Sequence, residues 1–307
     1  MKKTVLVGTR VDTRSKVEGQ WIINQLQAYA DDYRYQIVGV ETKVDVHERE
    51  EGGGGGNYGN ELERALQNEE IDIVIHNMVN VPYELPEEVV VAAISGRSDP
   101  SDALISRDNL TLSELPKGAK VDTGNMRRKC QLLKFRPDFD IVPYRGGVNT
   151  RLGRIRNGEI DAFVTAAASL ERLGMEDKIT EYLPYSVCMP APGQGAVAAL
   201  ARARDSKMIQ LLRKIHNPMV ASAVHAERTL LRYLTDKSNV PIGVLVRFKQ
   251  KRLHLEAVVL SLDGQEFVRA YGTGYYSFPG ELGTQVAKDI VAKASSKILD
   301  NSWYVRR

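Results

Sequence analysis

Five arginines in the first half of the chain fall into three short clusters, Arg10, Arg127 with Arg128, and Arg145 with Arg151, and nearly all stand where a β-branched run hands over to a helical pattern. Guanidinium groups keep their charge at any ordinary pH and grip carboxylates two-pronged, and helix N-termini add backbone N–H donors. The layout predicts a cleft for a ligand carrying several carboxylates. A net charge of +3 is too small to argue for nucleic acid, so the expected partner is a small acidic molecule. Cys130 and Cys188 are far apart and give neither a disulfide framework nor a metal-ligand spacing, and no metal is expected. The opening MKKTVLVGTR has too short an apolar run for a signal peptide, and no later run approaches membrane length. The expectation is a cytoplasmic protein with no membrane partner.

The elements that must position these arginines alternate. Runs at 4–8, 35–41 and 71–76 read as strands with helices at 15–29 and 61–67 between them, a βαβαβ unit and hence a mostly parallel sheet. A second such series runs from Ala103 to Leu173. The Pro- and Gly-rich PAPGQG at 190–195 reads as a connector, and 196–201 as a strand rejoining the first sheet. From Pro218 the order changes to a helix through Leu234, three strands, and a helix over 279–299. The predicted fold class is α/β: lobe 1 from 1–96 and 196–214, lobe 2 from 97–195, and a C-terminal α+β domain from 215–307. The five glycines of Gly52 to Gly56 read as a mobile loop, placed to act as a lid.

GTR at Gly8 to Arg10, DIVIHNMVNVP at Asp72 to Pro82, MRRKCQL at Met126 to Leu132, YRGGVNTRL at Tyr144 to Leu152, PAPGQGAV at Pro190 to Val197, HAERTLL at His225 to Leu231 and VPIG at Val240 to Gly243 together resemble hydroxymethylbilane synthase, also called porphobilinogen deaminase, over essentially the whole chain. The resemblance implies two periplasmic-binding-protein-like lobes and a third domain that carries a covalently attached dipyrromethane. It implies a reaction that joins four porphobilinogen units with loss of ammonia, and a monomer. It places Arg10, Arg127, Arg128, Arg145, Arg151 and Arg172 where the family grips acetate and propionate groups, with Gln194 in the matching GQG and Tyr58 where an aromatic ring stacks on pyrrole.

The same resemblance marks departures. The family's HSMKDVP reads HNMVNVP, so its essential aspartate is Asn80, its lysine Val79 and its serine Asn77; the cysteine that anchors dipyrromethane is Ser238. A carboxylate is the expected counterion for the azafulvene cation left by ammonia loss, and a thiolate is a far better nucleophile than an unactivated hydroxyl. Gly124 and Asn125 stand where serines usually precede the arginine pair, Asp12 for a serine and Gly55 for a lysine; the expectation drawn from these departures together is a divergent member that binds a small polycarboxylate and runs altered chemistry in a specialised biosynthetic pathway, with the dipyrromethane cofactor absent and Asn80 and Ser238 outside the family roles. The alternatives are a catalytically inactive ligand-binding or regulatory homologue, and an authentic hydroxymethylbilane synthase.

Several residues have plainer readings. Arg172 reads equally as a helix-surface residue, His76 as a hydrogen-bonded core residue, and Cys130 and Cys188 as packed thiols, Cys188 with the alternative of a cleft nucleophile. Asp12 and Asp45 read as loop carboxylates and the Glu48 to Glu51 run as a solvated face.

Overall fold

The computed structural model describes residues 3–30, 32–42, 61–144, 146–235 and 240–299. Strands β1 (Lys3–Arg10), β2 (Tyr33–Val40), β3 (Ile73–Asn77) and β4 (Val89–Arg97) belong to the first sheet, with helices α1 (Thr13–Gln27) and α2 (Glu61–Gln67) between them. The second lobe contributes β5 (Asp102–Ser106), β6 (Lys120–Asp122), α3 (Met126–Phe135), β7 (Asp140–Val142), α4 (Val148–Arg156), β8 (Ala162–Ala166), α5 (Ala167–Arg172) and β9 (Glu181–Tyr182). The chain then returns through β10 (Ala196–Arg202) and α6 (Ser206–Arg213). The C-terminal domain follows as α7 (Pro218–Leu234), β11 (Ile242–Lys249), β12 (Arg252–Leu260), β13 (Phe267–Tyr275), α8 (Pro279–Lys293) and α9 (Ser296–Leu299).

The architecture is α/β, with two five-stranded lobes and a small α+β domain. The sheet orders are β2-β1-β3-β10-β4 and β7-β6-β8-β5-β9, with β11-β12-β13 in the third. The expected mostly parallel sheet is corrected. β10, arriving from the second lobe, wedges antiparallel between β3 and β4, and β5 runs antiparallel to both β8 and β9, so each sheet is evenly mixed. The expected single helix over 279–299 is interrupted at Ala294, whose backbone is extended.

Local chemistry sets the helix starts. Asp12 caps α1 by accepting from the Ser15 backbone N–H at 3.0 Å, Asn125 caps α3 through Arg128 N–H at 3.2 Å, and Asn217 caps α7 just before its first-turn proline. Apolar side chains line both faces of the first sheet: Val5, Val7 and Ile73 pack with α1 and α6, while Val74, Met78 and Leu200 pack with α2 and α7. A sheet covered on both faces leaves only its strand ends open for a ligand.

Two strands of chain cross between the lobes, one after β4 and one before β10. They are joined where Ser98 N–H donates to the Gly195 carbonyl at 3.2 Å. Gly195 has φ +88°, and a Cβ there would lie 2.5 Å from the Ser98 carbonyl oxygen, so the crossing admits only glycine at this point. No described helix is long and apolar enough to cross a membrane.

Candidate active site

β3 ends at Asn77, which shapes the 3-10 turn Met78–Asn80 by accepting from Val79 N–H at 3.3 Å. Its amide nitrogen donates to Glu18 Oε1 on α1 at 3.0 Å. From the C-terminal domain, Arg228 on α7 donates to the carbonyls of Met78, Val81 and Pro82 at 3.3, 2.9 and 2.9 Å, so one guanidinium gathers three carbonyls of the segment that leaves the sheet. The half-buried Asn80 side chain makes no hydrogen bond among the described residues. Two residues before the turn, His76 Nε2 lies 3.0 Å from Glu63 Oε1, both buried, which is the hydrogen-bonded core position expected for it.

The predicted arginines divide by partner. Arg10 closes β1, is 5% exposed, and lies 3.7 Å from the Asp12 carboxylate. Arg127 is buried: Nη1 donates to Asp102 Oδ2 and to the Met189 carbonyl, each at 2.6 Å, and Nη2 to Gln194 Oε1 at 3.3 Å. Arg128 Nε donates to Asp102 Oδ1 at 2.9 Å. Gln194 Nε2 donates to the same oxygen at 3.0 Å and to the Pro100 carbonyl at 2.7 Å. Burial works against the Asp102 charge, yet Arg127 and Arg128 together hold its carboxyl well below the usual carboxylate range.

Arg151 and Arg172 take other partners, Arg172 among them the Gly195 carbonyl. Arg151 Nη2 donates to the Tyr144 carbonyl at 2.9 Å, and its Nε is 3.9 Å from Asp122 Oδ2, which Arg154 meets at 3.1 Å. Burial pulls the Arg151 guanidinium down from its ordinary range and pushes the Asp122 carboxyl up despite its two arginine neighbours. Arg172, at the end of α5, crosses to the first lobe: Nη1 donates to Glu18 Oε1 at 3.2 Å and Nη2 to Ser98 Oγ at 3.1 Å. It is therefore no helix-surface residue, since its side chain is 4% exposed. The Nε atoms of Arg127, Arg151 and Arg172 are buried without a hydrogen-bond partner among the described residues.

Cys188 is fully buried, its thiol 3.2 Å from Asp102 Oδ2, and burial first and Asp102 second push its pKa up. Burial raises Cys130 to about 12. Neither thiol faces the cleft as a nucleophile. Tyr58, Arg145, Ser238, Asp45, the Glu48 to Glu51 run and the Gly52 to Gly56 loop lie outside the described residues. The structure adds three participants that sequence reasoning did not single out: Glu18, Arg228 and Glu227. Glu227 on α7 is 0% exposed; it takes Arg97 in a two-pronged pair and accepts from the backbone N–H groups of Gly193 and Val246. The last two stand in the HAERTLL motif, but nothing in a sequence says which distant carbonyl or crossing they reach.

Comparison with known proteins places this geometry. Residues 5–210 match the family model described as "Porphobilinogen deaminase, dipyromethane cofactor binding domain", and residues 221–292 match "Porphobilinogen deaminase, C-terminal domain". The chain is 39% identical to the porphobilinogen deaminase of Desulforamulus reducens over 98% of this chain and 98% of that one. It is 41% identical to that of Desulforudis audaxviator over 97% and 98%. Among solved structures, the extracellular-binding protein of a probable amino-acid ABC transporter from Bacillus subtilis aligns with a TM-score of 0.40 at 15% identity, covering 70% of this chain and 90% of that one.

Two expectations are thereby corrected. The reading as a divergent small-acid binder with altered chemistry is overturned by identities of 36 to 41% over nearly the full length of proteins named porphobilinogen deaminase. The expected absence of dipyrromethane is overturned by the match of residues 5–210 to a domain defined by binding it.

Proposed function

The chain belongs to the porphobilinogen deaminase family, and from that premise we propose that it is a hydroxymethylbilane synthase of tetrapyrrole biosynthesis, joining porphobilinogen units with loss of ammonia. The observation that carries the reading is 39% identity over 98% of both chains to a protein named for that activity.

The residues present fit a dipyrromethane. Its acidic side chains call for cations with N–H groups to spare, and the unpartnered Nε atoms of Arg127, Arg151 and Arg172 are such donors. Each buried donor left unmet costs about 1–3 kcal/mol, which a ligand carboxylate recovers on binding. Arg10, Arg145, Arg151 and Arg172 are the residues that would hold carboxylates of cofactor and substrate. Arg127, Arg128 and Gln194 fix the floor around Asp102, Tyr58 offers an aromatic face to a pyrrole, and Asn77 sets the turn. When bound, the dipyrromethane supplies the pyrrole carbon to which the first new unit is joined.

Ser238 stands where the resemblance puts the anchoring cysteine, and the two buried thiols cannot replace it. In the anchoring role Ser238 would hold the dipyrromethane through its side-chain oxygen, with the hydroxyl proton passing to water. Asn80 keeps a hydrogen-bond acceptor on the turn, able to orient a pyrrole N–H, although it brings no charge.

Incubation with porphobilinogen, followed by oxidation and absorbance of the resulting uroporphyrin, tests the proposal. Pigment formation at a rate proportional to enzyme is expected. An enzyme preparation that yields none over many hours sinks it.

A further inference from the structure

Glu18 is a carboxylate that the preceding account leaves without a task. It is 2% exposed on a helix, a setting in which a charged side chain normally turns to water. Both of its partners meet the same oxygen: Oε1 accepts from Asn77 Nδ2 at 3.0 Å and from Arg172 Nη1 at 3.2 Å. Among the described residues Oε2 has no hydrogen bond. The group is thus joined on one side to the turn that carries Asn80 and on the other, across the cleft, to a guanidinium proposed above to hold a substrate carboxylate.

The other buried carboxylates near the cleft are engaged or remote. Asp102 is shared by Arg127, Arg128, Gln194 and the Cys188 thiol. Each oxygen of Glu227 accepts two hydrogen bonds. Asp12 is turned to Ser15 and Arg10. Asp122 has an unmet Oδ1, but it ends β6 in the second lobe between Arg151 and Arg154 and has no bond to the turn. Glu63 has an unmet Oε2 too, but its other oxygen is given to His76 rather than to Asn77; Glu18 alone among these has one oxygen on Asn77 and the other without a hydrogen bond.

We propose that Glu18 is the carboxylate that faces the cation formed when porphobilinogen loses ammonia, supplying the negative charge that Asn80 lacks. The inference rests on the proposed function. In the step, the aminomethyl C–N bond of the protonated substrate breaks and its electron pair leaves with nitrogen as ammonia. The positive charge remaining on the methylene carbon is shared with the pyrrole N–H, which donates to the carboxylate. The incoming pyrrole then forms the C–C bond and passes a ring proton to water, so the carboxylate acts by its charge and takes no proton in the step. A substrate acetate or propionate arriving at Arg172 takes over part of that guanidinium, leaving more of the Glu18 charge for the cation. Charge of this kind, held in place before the reaction and shielded from water, stabilises a transition state more than mobile solvent does.

The test uses the full chain as wild type, Glu18→Gln, Asn80→Asp and the double variant. Bilane output of the wild type is measured first; if there is none, the parent reading fails before any variant is compared. Given wild-type turnover, Glu18→Gln is expected to lower kcat by about 100-fold, the scale of one preorganised electrostatic group, with KM changed by less than about threefold. The double variant is expected to recover at least about tenfold of that loss, because a carboxylate returns on the turn to which Glu18 is joined. Thermal melting of each variant reports folding. A second readout, independent of turnover, is the infrared difference spectrum of protein labelled with 13C-carboxyl glutamate on adding porphobilinogen: a carboxylate band shift is expected in the wild type and absent in Glu18→Gln. A folded Glu18→Gln protein with kcat within threefold of wild type, a loss that Asn80→Asp does not relieve, or a wild-type protein with no band shift overturns the assignment.

Discussion

Glu227 and Arg97 form a two-pronged ion pair, with Nη1 to Oε1 at 2.7 Å and Nη2 to Oε2 at 3.1 Å, that ties the C-terminal domain to the end of β4 where the chain leaves the first lobe. The same carboxylate accepts from Gly193 N–H on the returning crossing and from Val246 N–H on β11, so every lone pair is directed. One side chain therefore joins three parts of the molecule.

Replacing Glu227 by alanine leaves both Nη groups of Arg97 and two backbone donors without their acceptor, while Arg97 Nε keeps the Gln194 carbonyl. The expected loss is about 3–5 kcal/mol, the range for breaking one partner of a buried pair. Urea unfolding followed by far-ultraviolet circular dichroism measures it.

Asp102 gives the fold a dependence on acid. Its carboxyl is held below its unfolded pKa by Arg127 and Arg128 against the opposing effect of burial. A depressed folded pKa means that the unfolded chain takes up the proton first. The stabilisation is therefore complete above an unfolded value of about 4 and is lost as pH falls below it toward the folded value. Wild-type stability is expected to drop through this range. Asp102→Asn, less stable at pH 7, should show a smaller further drop between pH 5 and pH 3 in thermal melts.

Arg151→Ala removes a buried guanidinium whose Nε is unmet. If it grips a substrate carboxylate, kcat/KM for porphobilinogen should fall by about 10- to 100-fold, the equivalent of one charge-assisted hydrogen bond of about 1.5–3 kcal/mol. Steady-state kinetics checks this, and an unchanged ratio removes Arg151 from the grip.

Intact mass spectrometry of protein made in cells with active haem synthesis is expected to show a covalently added dipyrromethane. Ser238→Ala is expected to lack it and Ser238→Cys to keep it. An unmodified wild-type mass would contradict attachment at this position.

The two thiols should be inert in the folded protein. Cys130 is raised to about 12 by burial and Cys188 is raised further by burial and Asp102, so the thiolate fraction at pH 8 is negligible. Iodoacetamide is expected to leave both unmodified at pH 8 and to alkylate both in urea, as read by peptide mass.

Much of the fold was legible because period and punctuation agree over long stretches. Helix α7 could be bounded from Pro218 to Leu234 by its proline start and apolar stripe, and α2 by its Glu61 to Gln67 pattern. The antiparallel entry of β10 was not, since strand direction depends on where a crossing re-enters and leaves no trace in an all-buried AVAALAR. β4 and α6 were not read as elements.

At the site, arginine positions could be read but their partners could not. Arg127 and Arg151 look alike in sequence, yet one is fastened to Asp102 and the other is met mainly by a carbonyl. Glu18 escaped notice because a glutamate on a helix ordinarily signals the wet side.

The Met78–Asn80 turn, capped by Asn77, is also held by Arg228, which belongs to a different sheet system from the strand leading into it. A fragment ending near residue 210 could keep the two lobes' apolar interiors and still present the turn wrongly. The two stretches recognised as separate family domains therefore meet at this turn: the later one works as a template for a loop it does not contain.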